Sequence, residues 1–281
     1  GVKCDLCPRK CLVDRKKGEK GICGQTENLK VARAALHFWE EPCISGDAGS
    51  GAVFFSGCPL HCVFCQNENI ANGTVGKEIA LERLVDIFLE LQEKRANNIN
   101  LVTPGHFVPQ IVKALDQARR EGLTLPVVYN TSSYETVDTI KMLEGYVDIY
   151  LPDFKYMSPV LSKKYSHAPD YAEVAKAAIA EMVRQTGKAV FVNGDEDNLI
   201  LSGTIVRHLT LPGCMADSMQ ILKYLHETYG DMIYISIMNQ FTPLSNLEKY
   251  PELNRRITDE EYETLVDYAI EIGIENGFIQ E

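Results

Sequence analysis

Three cysteines stand in one short run, Gly57-Cys58-Pro59-Leu60-His61-Cys62-Val63-Phe64-Cys65, with the spacing C-x3-C-x2-C. Thiolates are the ligands that hold iron–sulfur clusters. Three of them in one compact loop supply three corners of a [4Fe–4S] cube and leave the fourth iron free for a ligand from outside. A zinc ion completed by one distant residue is the competing reading, although structural zinc usually draws on two separated ligand pairs. Inert buried thiols fit less well, because Pro59, His61, Gln66 and Asn67 surround the cysteines. A plain electron carrier would want a fourth cysteine close by, and none lies between residues 66 and 213.

A second set, Cys4-x2-Cys7-x3-Cys11-x11-Cys23, offers four thiolates within twenty residues. Four equal ligands close a tetrahedron, which suits structural zinc; the same four would hold an auxiliary iron–sulfur cluster. The turn Gly21-Ile22-Cys23-Gly24 favours zinc. So short a segment has too little core to fold without a staple, so a metal is expected. Lys16, Lys17 and Lys20 solvate that surface or face an acidic electron donor. Cys43 reads as a small buried hydrophobe. His61 is expected beside the cluster loop, and His106 and His208 as structural residues.

These loops need a frame. From residue 50 onward, apolar strand-like runs alternate with amphipathic helical ones. Strands are expected at 52–55, 100–102, 126–129, 147–151, 204–209 and 232–238. Helices are expected at 78–95, 107–121, 133–144, 170–186 and 217–229, with a last one after the capping-box pair Thr258 and Glu261. Six strands alternating with helices mean a parallel sheet. An open doubly wound sheet and a barrel-like curl both satisfy the pattern, and either places ligands at the carboxyl ends of the strands.

The 281 residues carry 28 Lys and Arg against 39 Asp and Glu, a formal charge of -11. That average field repels a phosphate backbone, which argues against nucleic acid. No apolar run is long enough for a membrane span. The charged, cysteine-bearing start does not read as a secretory leader, so a reducing cytoplasm is expected, with the nine cysteines as ligands rather than disulfides.

Cys58-x3-Cys62-x-Phe64-Cys65 resembles the signature of the radical S-adenosylmethionine (SAM) superfamily, including the aromatic residue before the third cysteine. Phe55-Ser56-Gly57-Cys58-Pro59-Leu60-His61-Cys62 and Cys65-Gln66-Asn67 are similar to the pyruvate formate-lyase activating enzymes. So are Asp148 to Lys155, a strand ending in Asp-x-Lys, and Arg207 to Gly213, a strand running from Arg to Pro-Gly. Cys-Pro-Arg-Lys-Cys at the start and His37-Phe38-Trp39-Glu40-Glu41-Pro42 resemble an activating-enzyme-like subgroup of iron–sulfur proteins.

The resemblance implies an α/β fold, a partial (β/α)6 barrel of the radical SAM type over residues 50–281 with a C-terminal helical extension. A Cys-rich metal-binding segment would occupy 1–49. It implies a [4Fe–4S] cluster on Cys58, Cys62 and Cys65, with SAM on the open iron. Reductive cleavage of SAM there gives a 5′-deoxyadenosyl radical, which takes hydrogen from a substrate under anaerobic conditions. Asp153 and Lys155 match residues near the methionyl end of SAM, and Arg207 a carboxylate contact. Thr103-Pro104-Gly105-His106 replaces the family's Gly-Gly-Glu, leaving Thr103 and backbone carbonyls to meet the SAM amino group. Asn130 contacts SAM or substrate, or only shapes a turn. The substrate would be the glycine of a glycyl radical enzyme, or else a small metabolite or peptide, with reduced flavodoxin or ferredoxin as electron donor. A non-enzymatic iron–sulfur carrier or redox sensor is the alternative of a different class.

Overall fold

A computed structural model describes residues 3–243 and 247–280. The strands are β1 (Lys30–His37), β2 (Ser50–Phe55), β3 (Lys77–Glu78), β4 (Ile99–Val102), β5 (Val127–Thr131), β6 (Ile149–Pro152), β7 (Val190–Phe191), β8 (Ile200–Leu209), β9 (Tyr234–Met238) and β10 (Gly277–Gln280). The helices are α1 (Pro42–Ser45), α2 (Glu68–Ala71), α3 (Leu81–Glu93), α4 (Val108–Arg120), α5 (Val137–Lys141), α6 (Pro159–Ser166), α7 (Tyr171–Thr186), α8 (Met215–Tyr229) and α9 (Asp259–Glu271).

The strands join in one sheet of order β10-β9-β8-β6-β5-β4-β2-β1-β3, with β7 paired to β8 alone. Neighbours from β2 through β10 along that path are parallel. The six strands expected from the pattern are β2, β4, β5, β6, β8 and β9, and the sheet curls as a partial barrel without closing. The β1 and β3 strands extend one edge antiparallel. At the other edge the chain adds α9 and then β10, so the stretch beyond residue 240 ends in a sheet strand rather than in helix alone.

The helices cover the convex face because their apolar residues repeat at helical spacing. Leu84, Val85, Phe88 and Leu91 of α3, and Ile111, Ala114, Leu115 and Ala118 of α4, pack on outward-facing Val53, Phe55, Leu101 and Tyr129. In α9, Thr258 and Glu261 complete the capping box, worth about 1 kcal/mol. The expected helix at 133–144 is real only over α5, because Ser133 has φ +70° and Tyr146 to Val147 turn back into β6.

Among the elements that were not expected, two without clear periodicity bear on the site. The Ala-rich β1 pairs with β2 from Val31 to His37. The four-residue α1 starts on Pro42 and buries Ile44 completely. Its side chain enters the bottom of the barrel among Val128, Ile149, Leu151, Ile205 and Tyr234. Asn98 Nδ2 donates to Ile44 O at 3.0 Å and Asn97 Nδ2 to Ser45 O at 2.6 Å, which fixes the plug to the start of β4.

Alternation along the strands then separates two environments. At the carboxyl ends the outward Phe55, Leu101, Tyr129, Tyr150, Val206 and Ile237 are buried. The inward Phe54, Val102, Asn130, Asp153, Arg207 and Met238 are only half-buried. The upper lumen is therefore open, above a floor closed by α1.

Candidate active site

The loop after β2 carries the three cysteines, and other segments hold it from two sides. Gly57, at φ +91°, starts the turn; a Cβ there would meet Cys23 O at 2.5 Å, so only glycine lets the amino-terminal segment approach. Cys58 Sγ accepts from Leu60 N at 3.4 Å, and Cys62 Sγ accepts from Ser166 Oγ at 3.0 Å. The Cys62 and Cys65 sulfurs are near enough to Cys58, and the Cys62 sulfur to Cys65, to raise the affinity of Cys58 and Cys65 for protons. Burial, followed by those neighbours, pushes the Cys58 thiol up to about 12. A buried thiolate is costly unless a cation compensates it, and the irons of a cluster supply that compensation. The donor set and its burial fit the cube.

The amino-terminal cysteines gather in a second neighbourhood beside the first. Cys4 N donates to Val13 O at 2.9 Å and Leu12 N to Cys4 O at 3.0 Å, a small hairpin, and Ile22 N donates to Cys11 Sγ at 3.3 Å. Burial pushes the Cys7 thiol up to about 11, with Cys23, Cys11 and Cys4 adding to it. Among the described residues, no three His, Cys, Asp or Glu side chains converge tightly enough to hold a single metal ion.

The two neighbourhoods are bolted together by Arg9, which the sequence did not advertise, and by His61, which was expected beside the cluster loop. Arg9 donates from Nε to Pro59 O at 2.8 Å and from Nη2 to Leu60 O at 3.1 Å and Ser166 O at 3.0 Å. Its Nη1 donates to His167 O at 2.6 Å, and the guanidinium lies 5.0 Å over the Tyr134 ring. His61, between Cys58 and Cys62, donates from Nε2 to Ile22 O at 2.6 Å, one residue before Cys23.

The strand-end residues form a ladder of alternating charge down the lumen. Lys155 Nζ lies 5.9 Å over the Phe64 ring and 3.1 Å from Asp153 Oδ2. Asp153 Oδ1 is 3.5 Å from Arg207 Nε, and Arg207 Nη1 is 2.5 Å from Glu40 Oε1. Arg207 Nη2 donates to Asn130 Oδ1 at 2.8 Å. Glu40 Oε2 accepts from Asn100 Nδ2 at 3.0 Å and from Asn130 Nδ2 at 3.3 Å. One residue on, Glu41 Oε1 accepts from Ser236 Oγ at 2.7 Å. Burial alone would lower Lys155 and Arg207. Asp153 and the Cys62 sulfur more than offset it for Lys155, as Glu40 and Asp153 do for Arg207, so both pKa values rise and both groups stay charged.

Asp153, Lys155, Arg207 and Asn130 are therefore brought together. Asn130 faces the lumen rather than only shaping a turn. Thr103 adopts φ +53° and donates its backbone N to Asn130 O at 2.9 Å, at the rim of the same opening. Glu40 and Glu41 were not foreseen as site residues. Their only signal was two adjacent carboxylates between an aromatic pair and a helix-starting proline. His106 and His208 are structural, as expected: His106 Nε2 donates to Ser56 O at 2.6 Å, and His208 bonds Phe154 O and Ser218 Oγ at 2.7 Å each. Burial lowers both imidazoles to about 4, so both are neutral.

A family model described as the Radical SAM superfamily matches residues 52–198, just over half of the chain. The chain belongs to the radical SAM superfamily. Membership carries with it a [4Fe–4S] cluster, SAM as small-molecule partner and radical cleavage of SAM. An uncharacterized protein of Methanocaldococcus jannaschii is 27% identical over 275 residues, covering 95% of this chain and 74% of the relative. Among solved structures, a radical SAM methyltransferase from Sphaerobacter thermophilus superposes with a TM-score of 0.54 at 14% identity, over 82% of this chain and 66% of that one. Methylornithine synthase superposes with a TM-score of 0.53 at 14% identity, over 79% of this chain and 60% of that one. The chain spans less than two thirds of either solved chain. These likenesses show the fold, the partial barrel that the resemblance implied, and so decide between the two sheets the strand pattern had left open. No helix of the described residues is long and apolar enough to cross a membrane.

Proposed function

We propose that this radical SAM protein is an enzyme that takes a hydrogen atom from a substrate lodged in the barrel lumen, with Cys58, Cys62 and Cys65 holding the cluster. The carrying observation is the continuous run of polar side chains from that loop to the barrel floor, open only in its upper half. When bound, the cluster and SAM supply a 5′-deoxyadenosyl radical; the chain's own task is to bind, orient and exclude water. Lys155 is a cation beside the Cys62 and Cys65 sulfurs and is suited to the SAM carboxylate. Asp153 fixes Lys155. Arg207 and Asn130, shared with Glu40, shape the layer below. Thr103, with the backbone at the β4 end, meets the SAM amino group. A carrier or sensor would not need a polar lumen of this depth.

Two substrate classes follow from different observations. The likeness of residues 55–67 to activating enzymes supports a glycyl radical loop. The charged lumen floor supports a small polar metabolite or peptide, and that reading uses more of the structure. The four amino-terminal thiols hold zinc or a second iron–sulfur cluster, a proposal supported by their gathering around Cys7. The first 24 residues carry seven Lys and Arg against three Asp and Glu, which supports docking of an acidic donor such as reduced flavodoxin or ferredoxin.

The test is anaerobic reconstitution of native protein and of a variant with Cys58, Cys62 and Cys65 all replaced by Ala. Native protein should release 5′-deoxyadenosine from SAM, and the variant none, while keeping the zinc or iron of the amino-terminal set. Undiminished release by the variant would refute the cluster assignment. A folded variant with no metal would refute the second site.

A further inference from the structure

The lumen floor holds one carboxylate more than its cations balance. Glu40, Glu41 and Asp153 face Arg207 and Lys155. Arg207 is shared by Glu40 and Asp153, and Lys155 is taken by Asp153. Glu41 has a neutral hydroxyl, Ser236 Oγ, on Oε1, and its buried Oε2 has no hydrogen-bond partner. Asn100 Oδ1, whose amide nitrogen donates to Glu40, is likewise buried without a donor. Glu41 and Asn100 are both 0% exposed. Of the other two unpartnered lumen atoms, Asp153 Oδ1 and Arg207 Nε already face each other at 3.5 Å. What is missing is therefore donors, together with one positive charge. Leaving a buried acceptor unmet is costly, and an unpaired buried carboxylate more so.

We infer that the lumen floor binds the cationic, N–H-bearing head of the substrate, a primary ammonium or a related amine-derived cation, with Glu41 as counter-charge and Asn100 as a second acceptor. This rests on the reading above that the lumen is the substrate space. It sets the substrate's polarity: cationic end down at α1, reacting carbon up toward the cysteine loop. Carboxylate-first entry is disfavoured, because the lower layer offers Glu40 and Glu41 where an anion would need donors.

The experiment compares butylamine, butanol and butyrate by calorimetry on anaerobically reconstituted, full-length protein, with and without saturating SAM. The expected result is that butylamine binds at least about tenfold more tightly than either analogue. Glu41→Gln should erase that preference at unchanged iron content, and Ser236→Ala should weaken it. Equal binding of amine and alcohol, or no binding of either, overturns the inference and leaves the floor a hydrated polar core. Loss of amine binding when SAM is added also overturns it, because the floor would then belong to SAM's own ammonium. Deoxyadenosine release by native protein is scored separately: its absence refutes the enzyme reading, whereas its presence with no amine preference refutes only the substrate class.

Discussion

The Glu40–Arg207 pair is the joint between an unforeseen loop and the barrel, and a double-mutant cycle on it measures that joint. The side chains are 8% and 13% exposed, so solvent screens them little. Coulomb's law at an effective dielectric of about 20 gives roughly 7 kcal/mol of attraction across 2.5 Å. Desolvation offsets a large part of this, and removing one partner of such a buried pair costs about 3–5 kcal/mol. Glu40→Gln keeps the shape and one acceptor for Asn100 and Asn130. Arg207→Met also removes one of the two cations beside Asp153, leaving Lys155 as its partner, so it should be the more damaging single change. The double variant should be less destabilised than the two singles together by at least about 2 kcal/mol, since it leaves neither charge unmatched. Urea unfolding under anaerobic, reducing conditions reads these values, with iron measured on each variant so that cluster loss is not mistaken for lost pairing. For a chain of this size, each single change should lower Tm by roughly 6–10 °C. Additivity of the singles to within about 0.5 kcal/mol would refute the coupling, and with it the placement of Glu40 inside the lumen.

Arg9→Ala removes four donors from the carbonyls of Pro59, Leu60, Ser166 and His167. It should cost about 2–3 kcal/mol and speed loss of cluster iron to a chelator; an unchanged release rate would show that the clamp does not hold the loop. Glu135 is fully buried against Tyr129 and Thr131, and burial raises its carboxyl to about 7. Because the folded pKa lies above the unfolded one, its favourable contribution is complete below about pH 4.5 and is lost as pH rises through about 7. Relative to native protein, Glu135→Gln should therefore gain about 3 kcal/mol between pH 4.5 and pH 8. A pH-independent difference in urea midpoints between the two proteins would contradict this.

Much was legible in the chain itself. The parallel six-strand frame follows from the alternation of apolar runs. Local chemistry gave the cysteine loop, because C-x3-C-x2-C is a local spacing and needs no partner to be read. Asp153, Lys155 and Arg207 were reached through the resemblance of Asp148 to Lys155 and Arg207 to Gly213 to known strand-end motifs, which are likewise local runs of sequence. The lumen floor was not. Glu40 and Glu41 lie in a loop between Ala-rich β1 and a four-residue helix, where no periodicity assigns a face. Glu40 meets Arg207, 167 positions away, and Glu41 meets Ser236, 195 positions away. Arg9 was equally silent, since the carbonyls it clamps exist as a set only after α6 and the cysteine loop have come together. Sequence determines what depends on neighbours along the chain, namely element type and the ligand triplet. Which charges share a cavity, and which one is left without a partner, depends on burial and distance, and only the folded barrel decides those.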